Sequence, residues 1–294
     1  MRPSIRVLAE EDKAKVHERT LGILAKTGVR VDTAQGREFL KEAGADVDES
    51  THLVRFPRSL VEQSLDQAAK SFTLGARRPG CDLAMNAGEC ALVGGGEAVF
   101  VIDRETRERR DATYQDWLEA TKVTDALDDF GLYWTMVTPG LGDWTMAGQI
   151  AYWRDLFGNF SKHVQDPISD TESAPWFLEV LQVIFGDKET IRRQHPVSFL
   201  ACPMSPLVIE GPYTDAYLAL LGWDIPIGVM PMPILGSTSP GSLISTVTLA
   251  NCEVMAMLCL TQAAAPGTPF IYSPVFGVMD PQTGGLASRS PVGA

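Results

Sequence analysis

Residues 236–247 read GSTSPGSLISTV, a cluster of small residues that turns into an apolar run through Ser239-Pro240. Serine at an N-cap with proline at the first helical position is a helix start. The first N–H groups of a helix lack intrahelical partners and the dipole is positive there, so such a start favours an anion. Gly236, Ser237, Ser239 and Gly241 are therefore expected to form an anion-holding turn. A second polar group lies in SKHVQDP (161–167), where Lys162 and His163 share a short strand and Gln165 stands near its end. His163 is a candidate hydrogen-bond partner for a bound molecule. Zinc chemistry is not expected, because Cys202, Cys252, Cys259 and His163 show no ligand spacing. There is no G-x-S-x-G motif for nucleophilic catalysis. The glycines at 94–96 are not followed by a helical pattern, so they read as a hairpin bend rather than a phosphate cradle. Asn251 and Glu253 fall several turns below Pro240 and read as structural.

These side chains need elements to hold them. From Thr113 onward strand and helix patterns alternate. TYQDWLEATKVTDAL (113–127) reads as a helix with Thr113 as N-cap and Asp116 in a box position. LYWTMVTP (132–139), KHVQDP (162–167), VSFLACP (197–203), IPIGVMPMPIL (225–235) and PFIYSPVFG (269–277) read as strands. Helices are expected between them at 149–160, 174–186, 213–223 and 240–264. Before residue 110 the pattern differs. Helices are expected at 16–27, 33–41 and from Pro57, and CALVGGGEAVFVIDRETRERR (90–110) reads as two strands joined by the glycine bend.

Apolar strands alternating with helices indicate a parallel sheet covered on both faces. With no glycine-rich phosphate fingerprint after the first strand, a TIM-type (β/α)8 barrel is favoured over a doubly wound sheet. The expectation is an N-terminal α+β region (1–110) packed on a barrel (111–294). Five strands are legible in the alternating region and Ala91–Gly94 offers a sixth, whereas a barrel needs eight. An open parallel sheet exposes an apolar edge, so the barrel is expected to be incomplete, with its last strands missing from this chain.

The totals bound the partners. Of 294 residues 45% are hydrophobic, enough for a full core, and the net charge of −12 would repel nucleic acids and anionic membranes. The five cysteines, Cys81, Cys90, Cys202, Cys252 and Cys259, are odd in number and widely spaced. They do not form a disulfide framework, which points to a cytoplasmic setting. The apolar run 249–260 carries Asn251 and Glu253 and reads as a buried helix rather than a membrane span.

Several longer stretches together resemble the trimethylamine methyltransferase family of corrinoid-dependent methyltransferases. They are ACPMSPL (201–207), GSTSPGSLISTVTLANCEVMA (236–256), APGTPFIYSP (265–274) and TGGLASRSP (283–291), with SKHVQDP (161–167) and HERTLGILAKTGVRVD (17–32) in the same pattern. The resemblance implies a barrel enzyme that moves a methyl group from a methylated amine to the Co(I) of a corrinoid protein. It also implies two kinds of member. One carries pyrrolysine and uses trimethylamine. The other lacks it and includes enzymes for quaternary amines such as glycine betaine. The pyrrolysine position would lie beyond residue 294. The corrinoid (cobalamin) would be carried by the partner protein, with no cofactor or metal bound directly, and a homo-oligomer is expected by analogy.

That chemistry asks little of proton transfer. A methyl group on a quaternary nitrogen is attacked in line and a neutral amine leaves, so the protein must hold, dehydrate and orient a cation. Aromatic faces suit a trimethylammonium group. The candidates at strand ends are Tyr133, Trp134, Tyr272 and Phe276, with Trp144 on the following loop. Under the resemblance, the turn at 236–241 would hold a substrate carboxylate or a polar group of the corrinoid, and His163 and Gln165 would bond substrate or corrinoid. The alternative reading is a truncated, non-catalytic quaternary-amine binder or an inactive remnant of the enzyme.

Overall fold

The computed structural model describes residues 8–85, 91–140, 145–165 and 168–287. Helix α1 (Glu10–Lys26), strand β1 (Val29–Val31), helix α2 (Ala34–Glu42), strands β2 (Asp46–Asp48) and β3 (Leu53–Arg55) and helix α3 (Arg58–Gln67) come first. Short strands follow: β4 (Thr73–Leu74), β5 (Leu83–Ala84), β6 (Leu92–Val93), β7 (Phe100–Ile102) and β8 (Arg109–Asp111). Next are α4 (Tyr114–Ala126), β9 (Phe130–Tyr133), α5 (Met146–Asn159), β10 (His163–Gln165), α6 (Ser173–Phe185), α7 (Lys188–Gln194) and β11 (Val197–Ala201). The remaining elements are β12 (Val208–Ile209), α8 (Gly211–Leu218), β13 (Ile227–Val229), β14 (Ile234–Leu235), α9 (Leu243–Ala264), β15 (Phe270–Tyr272) and β16 (Gly277–Val278).

The chain divides into two compact units. One combines residues 1–68, 201–218 and 228–294, and the other combines 69–200 with 219–227. These units cut across the division expected near residue 110. Helices α1, α2 and α3 pack on α9, so the N-terminal segment shares a core with the C-terminal one.

In the first unit α9 is the hub. Apolar residues lie around its whole circumference, with a few polar ones among them, the pattern of a core helix. By length and composition it could cross a membrane, yet 72% of its apolar window is buried inside the fold. Helix α1 contributes Val16, Thr20, Leu21 and Leu24 from one face. A small sheet of order β12-β1-β3-β2 belongs to the same unit. Ser273 and Val275 donate backbone hydrogen bonds to Val229 and Pro231 in the same order, so these two segments run parallel.

In the second unit β6, β9, β10 and β11 lie side by side in that order, all parallel. The expectation of a mixed α/β fold built on parallel strands is met. Neither unit by itself closes a barrel. Side chains alternate across the sheet. Val164 is in register with Tyr133 and Val197, which places these three on one face. There Tyr133 meets Phe160 with ring centroids 5.2 Å apart and accepts a hydrogen bond from Trp117 Nε1 at 2.8 Å. The opposite face presents Leu132 beside His163 and Gln165 beside Ser198.

Several elements differ from the sequence pattern. The glycine bend does not join a hairpin: β6 enters the parallel sheet beside β9, while β7 pairs with β8. The apolar run from 132 is a ladder strand only to Tyr133. Beyond it, Glu97 and Ala98 donate to the carbonyls of Thr135 and Met136. The run 225–235 breaks into β13 and β14 around Pro231 and Pro233, which have no N–H for a ladder. Helix α7 was not expected. Asp187 caps it by accepting from Thr190 N at 2.8 Å, but seven residues are too few to show a period.

Candidate functional site

The polar groups that the structure gathers run from Trp134 and Gln165, at the carboxyl ends of β9 and β10, back to His163 at the start of β10 and Ser198 near the start of β11. Ligands of parallel sheets bind beyond the carboxyl ends of their strands. Trp134 follows the last residue of β9 on the face shared by His163 and Gln165, and the residue is partly exposed. Its indole Nε1 donates to Gln165 Oε1 at 2.7 Å. Gln165 Nε2 donates to Ser198 Oγ at 3.0 Å, and Ser198 Oγ lies 2.8 Å from His163 Nε2. His163 Nδ1 lies 3.2 Å from the carbonyl of Gly75.

The chemistry of each atom orients this chain of bonds. An indole N–H only donates, so the amide oxygen of Gln165 must face it. A carbonyl only accepts, so His163 carries its proton on Nδ1 and leaves Nε2 to accept from the Ser198 hydroxyl. Burial supports that assignment: His163 is 0% exposed, and desolvation holds its pKa down at about 3, so the ring is neutral. Gly75 is fixed in turn. Its N–H donates to the His195 carbonyl at 3.0 Å, and an added Cβ would lie 2.3 Å from the Gln194 carbonyl oxygen. Gly94 passes as close to the other side of the site, where a Cβ would lie 2.8 Å from Trp134 O. Within the glycine run it is Gly94 that serves a close backbone approach, while Gly95 and Gly96 face open space.

The other expected site residues fall elsewhere. Tyr133 is 2% exposed and points to the face covered by α4 and α5, so it is a core aromatic rather than a lining one. Lys162 is buried and donates to the carbonyls of Leu127 and Phe130 at 2.6 Å each, satisfying backbone at the end of α4. Tyr272 and Phe276 belong to the first unit. The Tyr272 ring is 50% exposed and its hydroxyl donates to Asn251 Oδ1, while the Asn251 amide donates to Thr20 Oγ1. Phe276 is half-buried between β15 and β16. Trp144 lies outside the described residues.

The helix start expected at Ser239–Pro240 is corrected. Helix α9 starts at Leu243 with Ser242 as its cap, and Pro240 is not its first residue. The N–H groups of Ser237 and Ser239 both donate to the Ile234 carbonyl, and that of Gly236 donates to the Ser239 carbonyl. The Ser239 hydroxyl pairs with Thr246 Oγ1 at 2.9 Å. These three N–H groups are spent inside the turn, and Gly241 stands exposed before the helix begins. Glu253 has the structural role expected of it. Buried in α9, it accepts from Ser205 Oγ and Leu207 N, each at 2.8 Å, and holds the ACPMSPL segment in place.

Ser198 and Gly75 were not singled out in the sequence. The signal for Ser198 was available: it is one hydroxyl inside the apolar strand VSFLA, where a buried polar group demands partners. Among the described residues no three His, Cys, Asp or Glu side chains gather to hold a metal. Burial pushes the Cys252 and Cys259 thiols up to about 12.

Comparison with known proteins agrees with the motifs. The chain is 28% identical over 273 residues to trimethylamine methyltransferase MttB of Desulfitobacterium hafniense (strain DSM 10664 / DCB-2), covering 92% of this chain and 55% of that protein. It is 28% identical over 291 residues to a glycine betaine methyltransferase of D. hafniense (strain Y51), covering 98% and 60%. The chain thus spans little more than half the length of these curated relatives. The crystal structure of the Methanosarcina barkeri monomethylamine methyltransferase (MtmB) superposes with a TM-score of 0.47 at 12% identity, over 90% of this chain and 58% of that one. The model of the trimethylamine methyltransferase (MTTB) family matches residues 1–293, and the chain belongs to that family.

Proposed function

We propose that the chain binds a methylated ammonium group against the face of Trp134 and orients it for methyl transfer to a corrinoid carried by a partner protein. The observation that carries this reading is Trp134, a partly exposed residue just beyond the end of β9 whose indole N–H is already engaged by Gln165. What the ring has left to offer is its π face, which attracts a cation and suits a group that has no N–H to donate. A reduced corrinoid, brought by the partner, would supply the electron pair that takes the methyl group, and the amine would leave neutral. The residues of this chain hold and dehydrate the ammonium, and no general base is needed because no proton moves.

The test is calorimetric titration of the chain with glycine betaine, carnitine and trimethylamine, on wild type and on Trp134→Leu. Loss of the π face should weaken binding ~2- to 30-fold. An affinity that Trp134→Leu leaves unchanged rules this site out. Methyl transfer is then read as methyl–cobalt absorbance when a reduced corrinoid protein is added.

A further inference from the structure

We infer that Ser198 and Gln165 are positioning residues that set the angle of the Trp134 ring through a one-way hydrogen-bond chain ending at the Gly75 carbonyl. This rests on the reading of Trp134 as the ammonium platform. Four features of the second unit carry it. Every donor in the chain has one acceptor: Trp134 to Gln165, Gln165 to Ser198, Ser198 to His163, His163 to Gly75. The inner members are closed off from water, with Gln165 at 5%, Ser198 at 1% and His163 at 0% exposure. The far end is anchored in backbone, because Gly75 is stitched to His195 and admits no side chain. The outermost member, Trp134, is the partly exposed one.

The direction of the chain gives Ser198 its importance. It is the one residue that both accepts from Gln165 and donates to His163. Without its hydroxyl, the Gln165 amide loses the bond that keeps its oxygen aimed at the indole, and a buried imidazole nitrogen is left unpaired. The amide is then free to rotate, and the ring with it. A merely structural serine would affect stability and leave the indole N–H where it is.

The experiment uses tetramethylammonium chloride as probe and the 15N-labelled chain. Binding is measured by calorimetry, and the Trp134 indole N–H resonance, assigned by its loss in Trp134→Leu, reports the bond to Gln165. Ser198→Ala and Gln165→Met are each expected to weaken binding about tenfold and to move that resonance upfield, with Ser198→Thr restoring both. Gln165→Met keeps the volume and removes the amide, so the inference stays testable if Ser198→Ala does not fold. Weaker binding in Trp134→Leu combined with wild-type affinity and an unmoved resonance in both Ser198→Ala and Gln165→Met overturns the positioning chain alone. Wild-type affinity in Trp134→Leu overturns the platform reading and the chain with it.

Discussion

His163 is a buried base that the fold keeps empty of its second proton, and this has a cost at low pH. Its folded pKa of about 3 lies below the usual 6.5. Below pH 6.5 the unfolded chain takes up a proton that the native chain refuses, so stability falls from pH 6.5 towards pH 3. The loss approaches roughly 3–5 kcal/mol. Urea unfolding across that range should show this slope in wild type, and His163→Gln should be flatter though less stable at pH 7. Glu253 runs the other way. Burial raises its pKa above the usual carboxylate value, so the native chain keeps a proton that the unfolded chain releases. Its contribution is full below pH 4.5 and declines as pH rises through the folded value. Glu253→Gln should therefore match wild type in acid and exceed it at alkaline pH. Glu253→Ala should cost ~1–3 kcal/mol, because the Leu207 N–H loses its acceptor. Thermal melts from pH 4 to pH 9 separate these cases.

Elements were legible in proportion to how local their causes are. The capping box of α4 was readable because its signals lie three residues apart: Thr113 Oγ1 accepts from Asp116 N, and Asp116 accepts from Thr113 N at 2.9 Å. Thr113→Ala should cost about 1 kcal/mol, measured by denaturant unfolding. Strand ends were overread because apolar composition continues past the ladder, as beyond Tyr133 and through Pro231. The site was half legible. Trp134, His163 and Gln165 declare themselves by type and by position at strand ends. Ser198 requires knowing that β11 lies beside β10, and Gly75 requires knowing that Gln194 passes across it. Gly75→Ala should cost about 2–3 kcal/mol by forcing backbone from backbone, and should disturb the indole resonance of Trp134 through His163.

At the scale of the whole molecule, the sharing of one core by residues 1–68 and 228–294 could not be read from any window of sequence, since its contacts are long-range. It predicts that the amides of α1, α2, α3 and α9 open together. Native-state hydrogen exchange should give them a common opening energy, and exchange of α1–α3 well ahead of α9 would refute the shared core. The same arrangement bears on synthesis. Some 175 residues separate the end of α3 from the start of α9. At about 5–20 residues per second, the first three helices leave the ribosome roughly 10–40 s before their partner exists. For that interval Val16, Leu21, Leu24, Leu40, Leu60 and Val61 have only one another and the neighbouring strands to pack against, and the largest part of their native cover is still to be made.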